Sequence, residues 1–344
     1  MVVQSTIAQN FLVLSCNLLL VLRAAVFAIS AALVGAVTVG IAVAQNYPVR
    51  PIRFLVTSPP GGANDTQAHV LGAKLGEQLG QTVVIDNRAG GSGMIAAEIV
   101  AKSAPDGYTL LFGTNSTFSV NPSLFPKVPY DTLRDFAPVA VTVMTPHVLL
   151  VHPSLPATTV KELIALAKAQ PGRLNYASSG NGSAFHLGME LFKTAAGVNI
   201  VHVPFKGSAL SAAALIGGEV QMMLVGMPTG MPLAKSGKAR VLGVANPARS
   251  ALAPELPTIA EAGVPGFGYQ SWFGVAAPAG TPRPVIARLH EGFDRPLRQA
   301  DVRERLAALG YEVIANSPQQ MAQLIRTETK KWAKVIRDSG ATPE

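Results

Sequence analysis

Between residues 52 and 112, and again between 160 and 225, short apolar runs alternate with turns and with segments whose apolar residues recur at helical spacing. Ile52–Thr57 reads as a strand, and Ser58-Pro59-Pro60-Gly61-Gly62 turns the chain. Ala68, Leu71, Leu75 and Leu79 then mark one face of a helix. Thr82–Ile85 is a second strand, a helix runs from about Met94 to Ser103, and Tyr108–Phe112 is a third strand. The series restarts with a helix on Val160, Leu163, Ile164 and Ala167, a strand at Leu174–Ala177 and a helix over Ser183–Thr194. Ile200–Val203, Ser208–Ile216 and Val220–Val225 continue it as strand, helix and strand. Such alternation restricts the chain to an α/β fold. Two series predict two mostly parallel sheets, each flanked by helices.

Val139–Val143 and Val148–Val151 are extended runs between the two series, and Ala239–Ala245 and Trp272–Ala276 follow the second. The tail is helical over Pro284–Leu297, Val302–Leu309 and Met321–Arg337, with a strand at Tyr311–Ala315. The chain therefore divides into one lobe of residues 46–147 and 270–344 and a second of residues 148–269. It crosses between them twice, near Val148–Val151 and Gln270–Val275.

The first 44 residues follow different rules. They carry one charge, Arg23, and end on Ala42-Val43-Ala44, the small-x-small pattern of a signal-peptidase site. Residues 1–44 are expected to be a signal peptide that directs the chain to the periplasm, the mature protein starting at Gln45. An uncleaved anchor that retains Arg23 is the alternative, since the apolar run is long enough to span a bilayer. Residues 1–22 lack the basic start of such signals, which points to a translation start near Leu20 or Val21. Val13-Leu14-Ser15-Cys16 faintly resembles a lipoprotein box, but more apolar sequence follows it.

Cys16 is the one cysteine, so the chain beyond residue 44 has no disulfide, thiolate nucleophile or cysteine metal site. The formal net charge is +8, and removing Arg23 with residues 1–44 leaves +7. The basic residues are dispersed or alternate with acidic ones on helices, which argues against nucleic acid. The histidines, at 69, 147, 152, 186, 202 and 290, include no pair at i, i+4, so no metal is expected. No G-x-S-x-G, Walker, H-E-x-x-H or G-x-G-x-x-G motif occurs, and no cofactor is implied. Ser179 or Ser183 with His186 would make a nucleophile and base only if the fold joined them.

Ligands in α/β sheets bind beyond the C-terminal ends of strands. That rule points to the loops Ser58–Asp65 after the first strand and Gly113–Thr117 after the third. In the second series it points to Ser178–Ser183 and Pro204–Ser208. Two of these loops share a design: each follows a strand, contains two glycines and opens a helix. Glycine admits close backbone approach, and a helix N-terminus offers N–H groups and positive potential to a carboxylate.

A set of motifs in this order resembles the Bug-type, or tripartite tricarboxylate transporter, periplasmic receptors. They are Pro59-Pro60-Gly61-Gly62 with Asp65, Asp86-Asn87-Arg88-Ala89-Gly90-Gly91-Ser92-Gly93, Pro105-Asp106-Gly107-Tyr108-Thr109-Leu110, Tyr176 through Ser183, Val203-Pro204-Phe205-Lys206-Gly207, Pro257 through Gly263 and Trp272-Phe273-Gly274. The resemblance implies a two-lobed periplasmic binding protein fold, type II-like, with the ligand cleft between the lobes. It implies an extracytoplasmic solute-binding protein, not an enzyme, that captures a small organic acid for membrane transporter subunits and works as a monomer. A ligand sensor for a signalling partner, or a Ser/His hydrolase or transferase on a similar architecture, is the rival reading. The family holds the carboxylate mainly with backbone groups and ordered waters of the two glycine loops, which implies Pro60, Gly61, Gly62 and Asp65 with Ser178, Ser179, Gly180, Asn181, Gly182 and Ser183, and Thr114, Asn115, Ser116, Phe205, Lys206 and Gly207 as further pocket candidates. Three positions depart from its pattern: Phe205 stands where Tyr is frequent, His69 where Arg is frequent and Gln221 where Asp is usual. Gln221 keeps hydrogen-bonding capacity and loses a charge. Either it only supports the second lobe, or it lines a pocket that prefers acids without an amino group.

Overall fold

A computed structural model describes residues 47–343, and the predicted signal segment and Cys16 lie outside the described residues. Two sheets carry the fold. The first has six strands in the order β11-β4-β10-β3-β1-β2. These are β1 Ile52–Val56, β2 Val83–Asn87, β3 Thr109–Thr114, β4 Phe136–Thr145, β10 Ser271–Pro278 and β11 Glu312–Val313. The second has five, ordered β7-β6-β8-β5-β9: β5 His147–Val151, β6 Asn175–Ser178, β7 Val201–Pro204, β8 Met222–Gly226 and β9 Arg240–Val244. Both sheets lie in one compact unit beginning at Arg50.

The sheets are mixed, where mostly parallel ones were expected. β1 pairs in parallel with β2 and β3, and β6 with β7 and β8. β4, β5, β9, β10 and β11 join antiparallel. Strand direction depends on where a connection runs, and the apolar pattern of a buried strand is the same either way.

Period-two alternation in β5 shows how the second sheet is covered on both faces. Leu149 and Val151 enter one core cluster, with helices α5 (Val160–Ala169) and α6 (Ala184–Ala196). Val148 and Leu150 enter the other, with α7 (Ser208–Ile216) and α8 (Met227–Lys235). Helix α8 is absent from the sequence reading because Pro228 and Pro232 suggest a broken segment. Pro228 sits in its first turn, where the missing N–H costs nothing.

In the first sheet, Leu55, Leu111 and Val141 pack with α2 (Met94–Ala101) and the start of the last helix. Phe54 faces the other way, its ring centroid 5.4 Å from Phe112 and 5.9 Å from Phe293. There α1 (Ala63–Leu79) meets α9 (Arg283–Leu297), and Gly292 lets Leu75 come close. Thr132–Asp135 forms a short helix and Ala300–Ala308 a longer one.

The last helix, Pro318–Ser339, starts with a capping box in which Ser317 and Gln320 satisfy each other's backbone amides. Met321 and Ile325 belong to the first sheet's core. Trp332, Val335 and Ile336 belong to the cluster that also holds Leu149, Tyr176 and Leu224 of the second sheet. The residues that chain order assigns to one lobe thus bury their end in the other lobe's core.

Candidate functional site

Strand register brings the expected loops to common edges. Val56 at the end of β1 pairs with Asn87 of β2 and Phe112 of β3. The loops beginning at Thr57, Arg88 and Asn115 therefore leave the first sheet on one edge. In the second sheet Ser178 pairs with Pro204, and the Phe205 N–H donates to the Ser178 carbonyl at 3.0 Å. Loops 178–183 and 205–207 are neighbours. A Cβ on Gly182 would lie 2.7 Å from Leu124 Cδ2, in the segment that follows β3, and 3.4 Å from the Thr342 carbonyl oxygen.

The first glycine loop closes on Asp65. Its buried carboxylate accepts from the Gly61 N–H at 2.8 Å and from Asn87 Nδ2 at 2.9 Å, and His69 Nε2 lies 3.5 Å away. Burial pushes the Asp65 carboxyl up, but the Gly61 amide, Asn87 and His69 together hold it below the usual carboxylate range. Asn87 also donates to the Ser58 carbonyl at 3.1 Å, and Asn64 Nδ2 to Thr57 Oγ1 at 3.0 Å. Asp65 therefore shapes the loop, its carboxylate turned toward protein donors. The Ser58 hydroxyl oxygen is buried with no hydrogen-bond partner among the described residues.

The second loop is also internally bonded. Ser178 Oγ accepts from the Gly180 N–H at 3.2 Å, the Ser183 N–H donates to the Gly180 carbonyl at 3.2 Å, and the Gly182 N–H donates to His186 Nδ1 at 2.9 Å. Gly180 and Gly182 have φ of +130° and +67°, which L side chains rarely adopt. Ser183 caps α6, its Oγ accepting from the His186 backbone N–H at 3.3 Å. The expectation that glycine N–H groups await a carboxylate needs amending: Gly61, Gly62, Gly180, Gly182 and Ser183 all donate within their own loops. The loops are preorganised surfaces rather than open nests.

The remaining positions separate clearly. Thr114, Ser116, Ser179 and Phe205 are half-buried, Asn115 is buried, and Pro60, Asn181 and Lys206 are exposed. Gly207, with φ of +101°, precedes α7. Gln221 does not join them. It precedes β8, its N–H donating to the Asn175 carbonyl at 3.0 Å and its Oε1 accepting from the Asn175 N–H at 2.8 Å. Asn175 begins β6 and the loop follows Ser178 at its other end, so Gln221 braces the edge opposite the loops. The supporting role is the one the geometry favours.

The Ser183–His186 pair is a cap, not a nucleophile and base, because Gly182 takes His186 Nδ1. Ser178 Oγ does meet His202 Nε2 at 2.6 Å, yet Ser178 is wholly buried and bonded to Gly180. Sequence reasoning missed His202, Asn87 and Glu190, which only sheet pairing and helix packing bring under the loops. Among the described residues no group of three or more His, Cys, Asp or Glu gathers as a metal site, and no helix is long and apolar enough to cross a membrane.

Pro146 and His147 form the first crossing. The Met227 N–H donates to the Pro146 carbonyl at 2.8 Å, and the Ala245 N–H to that of His147 at 2.8 Å. The His147 ring lies 4.8 Å from the ring of Tyr269 on the second crossing. Burial outweighs the Thr145 carbonyl at its Nδ1 and lowers the imidazole pKa to about 4. The unfolded chain takes up this proton as pH falls below about 6.5, and the folded chain does so only near 4. His147 therefore contributes stability that is complete above pH 6.5 and is lost as pH falls through that window. The loss amounts to about 3 kcal/mol at most. Urea unfolding at pH 7, 5.5 and 4.5 is expected to show it, and a His147→Gln variant to show a shallower decline. Equal slopes for the two proteins would refute the assignment.

Comparison with known proteins agrees with this architecture. A family model described as "Tripartite tricarboxylate transporter family receptor" matches residues 68–341. Protein BugT of Bordetella pertussis is 40% identical over 308 residues, covering 88% of this chain and 94% of that protein. The solved structure of R. palustris Rpa4515 with adipate is 40% identical with a TM-score of 0.73, over 87% of this chain and 100% of that one. MatC from Rhodopseudomonas palustris with bound malate is 35% identical with a TM-score of 0.69, over 84% and 100%.

Proposed function

The chain belongs to the tripartite tricarboxylate transporter family of receptors, and from that premise we propose that it captures a small aliphatic dicarboxylate between its two sheets. It is a solute-binding receptor of the two-lobed periplasmic binding protein fold. Similar proteins have been solved with adipate and with malate. The observation that carries the reading is that each sheet sets a glycine loop at the C-terminal ends of its parallel strands, Ser58–Asp65 after β1 and Ser178–Ser183 at the end of β6. The buried, unpartnered Ser58 hydroxyl on the first loop supports a polar ligand. Residues 46–147 with 270–344 and residues 148–269 act as lobes about Pro146 and the stretch before Ser271, save that the last helix from Trp332 onward packs into the second. The protein performs no covalent chemistry and delivers its ligand to membrane transporter subunits.

A thermal-shift series tests this with adipate, malate and the uncharged diamide of adipate. Saturation at one hundred times Kd adds about 2.7 kcal/mol to the apparent stability, which raises Tm by roughly 5 °C or more. The acids are expected to stabilise and the diamide not to. Stabilisation by the diamide alone, or by none of a broad carboxylate panel, would overturn the reading. Acid recovered unchanged distinguishes a receptor from an enzyme. Export is tested by intact mass: the periplasmic protein is expected to begin at Gln45, and retention of Arg23 in a membrane fraction would oppose cleavage.

A further inference from the structure

Two imidazoles lie face to face beneath the second glycine loop. His186 is in the first turn of α6 and His202 is on β7. Their ring centroids are 3.9 Å apart with planes inclined by 8°, and the Tyr176 ring stacks on His202 at 4.9 Å. Each imidazole ties a different end of the loop. His186 Nδ1 accepts the Gly182 N–H, and His202 Nε2 is bonded to the Ser178 hydroxyl that in turn accepts the Gly180 N–H. The first bond requires a lone pair on Nδ1, so the His186 proton sits on Nε2, facing Glu190 Oε1 at 3.9 Å.

We propose that His186 and His202 are positioning residues for ligand capture: a neutral stacked pair that holds Gly180–Ser183 in its binding shape and releases the loop when protonated. That this loop meets ligand rests on the function proposed above; that the pair holds it does not.

Burial keeps the pair neutral, and Lys193 adds to it. Among the described residues Glu190 is the carboxylate that acts on the pair, and it already accepts from Tyr176 at 2.5 Å and from Lys193 at 2.6 Å. Burial lowers both imidazoles, His186 and Lys193 further depress His202, to about 3, and Lys193 opposes Glu190 at His186. Protonating His186 at Nδ1 would replace an acceptor with a second donor facing the Gly182 N–H. It would also set a cation against the ring of His202. The loop is therefore held at neutral pH and loosens only in acid.

The test uses the exported chain labelled with nitrogen-15. Imidazole nitrogen shifts at pH 7 are expected to show His186 neutral with its proton on Nε2. Amide exchange at Gly182, corrected for intrinsic rate, is expected to rise about tenfold or more in His186→Ala, with adipate affinity falling by a similar factor. His186→Asn, whose Oδ1 replaces Nδ1 as acceptor, is expected to restore both to within about threefold. Exchange at Gly182 is expected to quicken as pH falls, beyond its intrinsic pH dependence, in wild type and less so in His186→Asn. A cationic or Nδ1-protonated His186 at pH 7 overturns the proposal and needs no variant. Unchanged Gly182 exchange in a folded His186→Ala, or no rescue by His186→Asn, also overturns it. If exchange responds as expected while wild type binds no carboxylate, the proposed function fails and the positioning role stands.

Discussion

Replacing Gly182 with valine is expected to abolish ligand capture in a protein that still folds. At φ of +67° a β-branched residue is strained by about 1–3 kcal/mol. A Cβ would also lie 2.7 Å from Leu124 Cδ2, too close without movement, and 3.4 Å from the Thr342 carbonyl oxygen, at the limit of ordinary contact. Leu124 is the end of a flexible side chain and can yield. The backbone at 182 cannot relax without losing the Gly182 bond to His186. The folding cost should stay near 2–3 kcal/mol, within the margin of a typical domain. Affinity for the best dicarboxylate should fall at least about a hundredfold, equivalent to about 2.7 kcal/mol. Calorimetric titration beside a circular-dichroism melt reads both quantities. Normal affinity in a folded Gly182→Val would remove the second loop from the binding surface.

The largest effect on stability is expected from Trp332→Ala. Trp332 is 1% exposed, its indole N–H donates to Glu328 Oε2 at 2.7 Å, and its ring packs edge-on against Tyr269 with centroids 5.7 Å apart. Removing such a ring costs about 3–5 kcal/mol through lost burial and a residual cavity. At roughly 2–4 °C per kcal/mol, Tm should fall by about 10 °C. The position matters as much as the size. Trp332 is the largest second-core residue of a helix whose start, at Met321 and Ile325, lies in the first sheet's core, so its loss is expected to uncouple the two cores. Differential scanning calorimetry is expected to show one transition in wild type and two in the variant. Trp332→Phe, which keeps a ring, should retain one. A variant melting within about 2 °C of wild type would show that the helix does not bridge the cores energetically.

Part of the site is legible in the sequence. Ligand loops follow strands, and Gln221 precedes one, so the rule that points to Gly61 and Gly182 argues against it. Asn87 stands in a motif, but its hydrogen bonds to Asp65 and the Ser58 carbonyl exist only once β2 is paired beside β1. His186 was visible as a first-turn residue. Its partner His202 is sixteen residues away, on a strand whose place beside β6 fixes the stacking.

What the sequence determined by itself was local. Apolar periodicity marked most of the strands and helices and glycine and proline marked the turns, because spacing and turn chemistry act within a few residues; the order of motifs resembled a receptor family, and that resemblance implied the receptor. Tertiary structure decided everything that depends on direction and distance. The crossing strands run antiparallel, which made both sheets mixed. The glycine amides bond within their loops, so shape rather than vacant N–H groups prepares the site. The last helix crosses from one core to the other, and the imidazoles meet under the second loop. These outcomes rest on hydrogen bonds and packing between segments far apart in the chain, and the apolar pattern of a buried element does not name its partner.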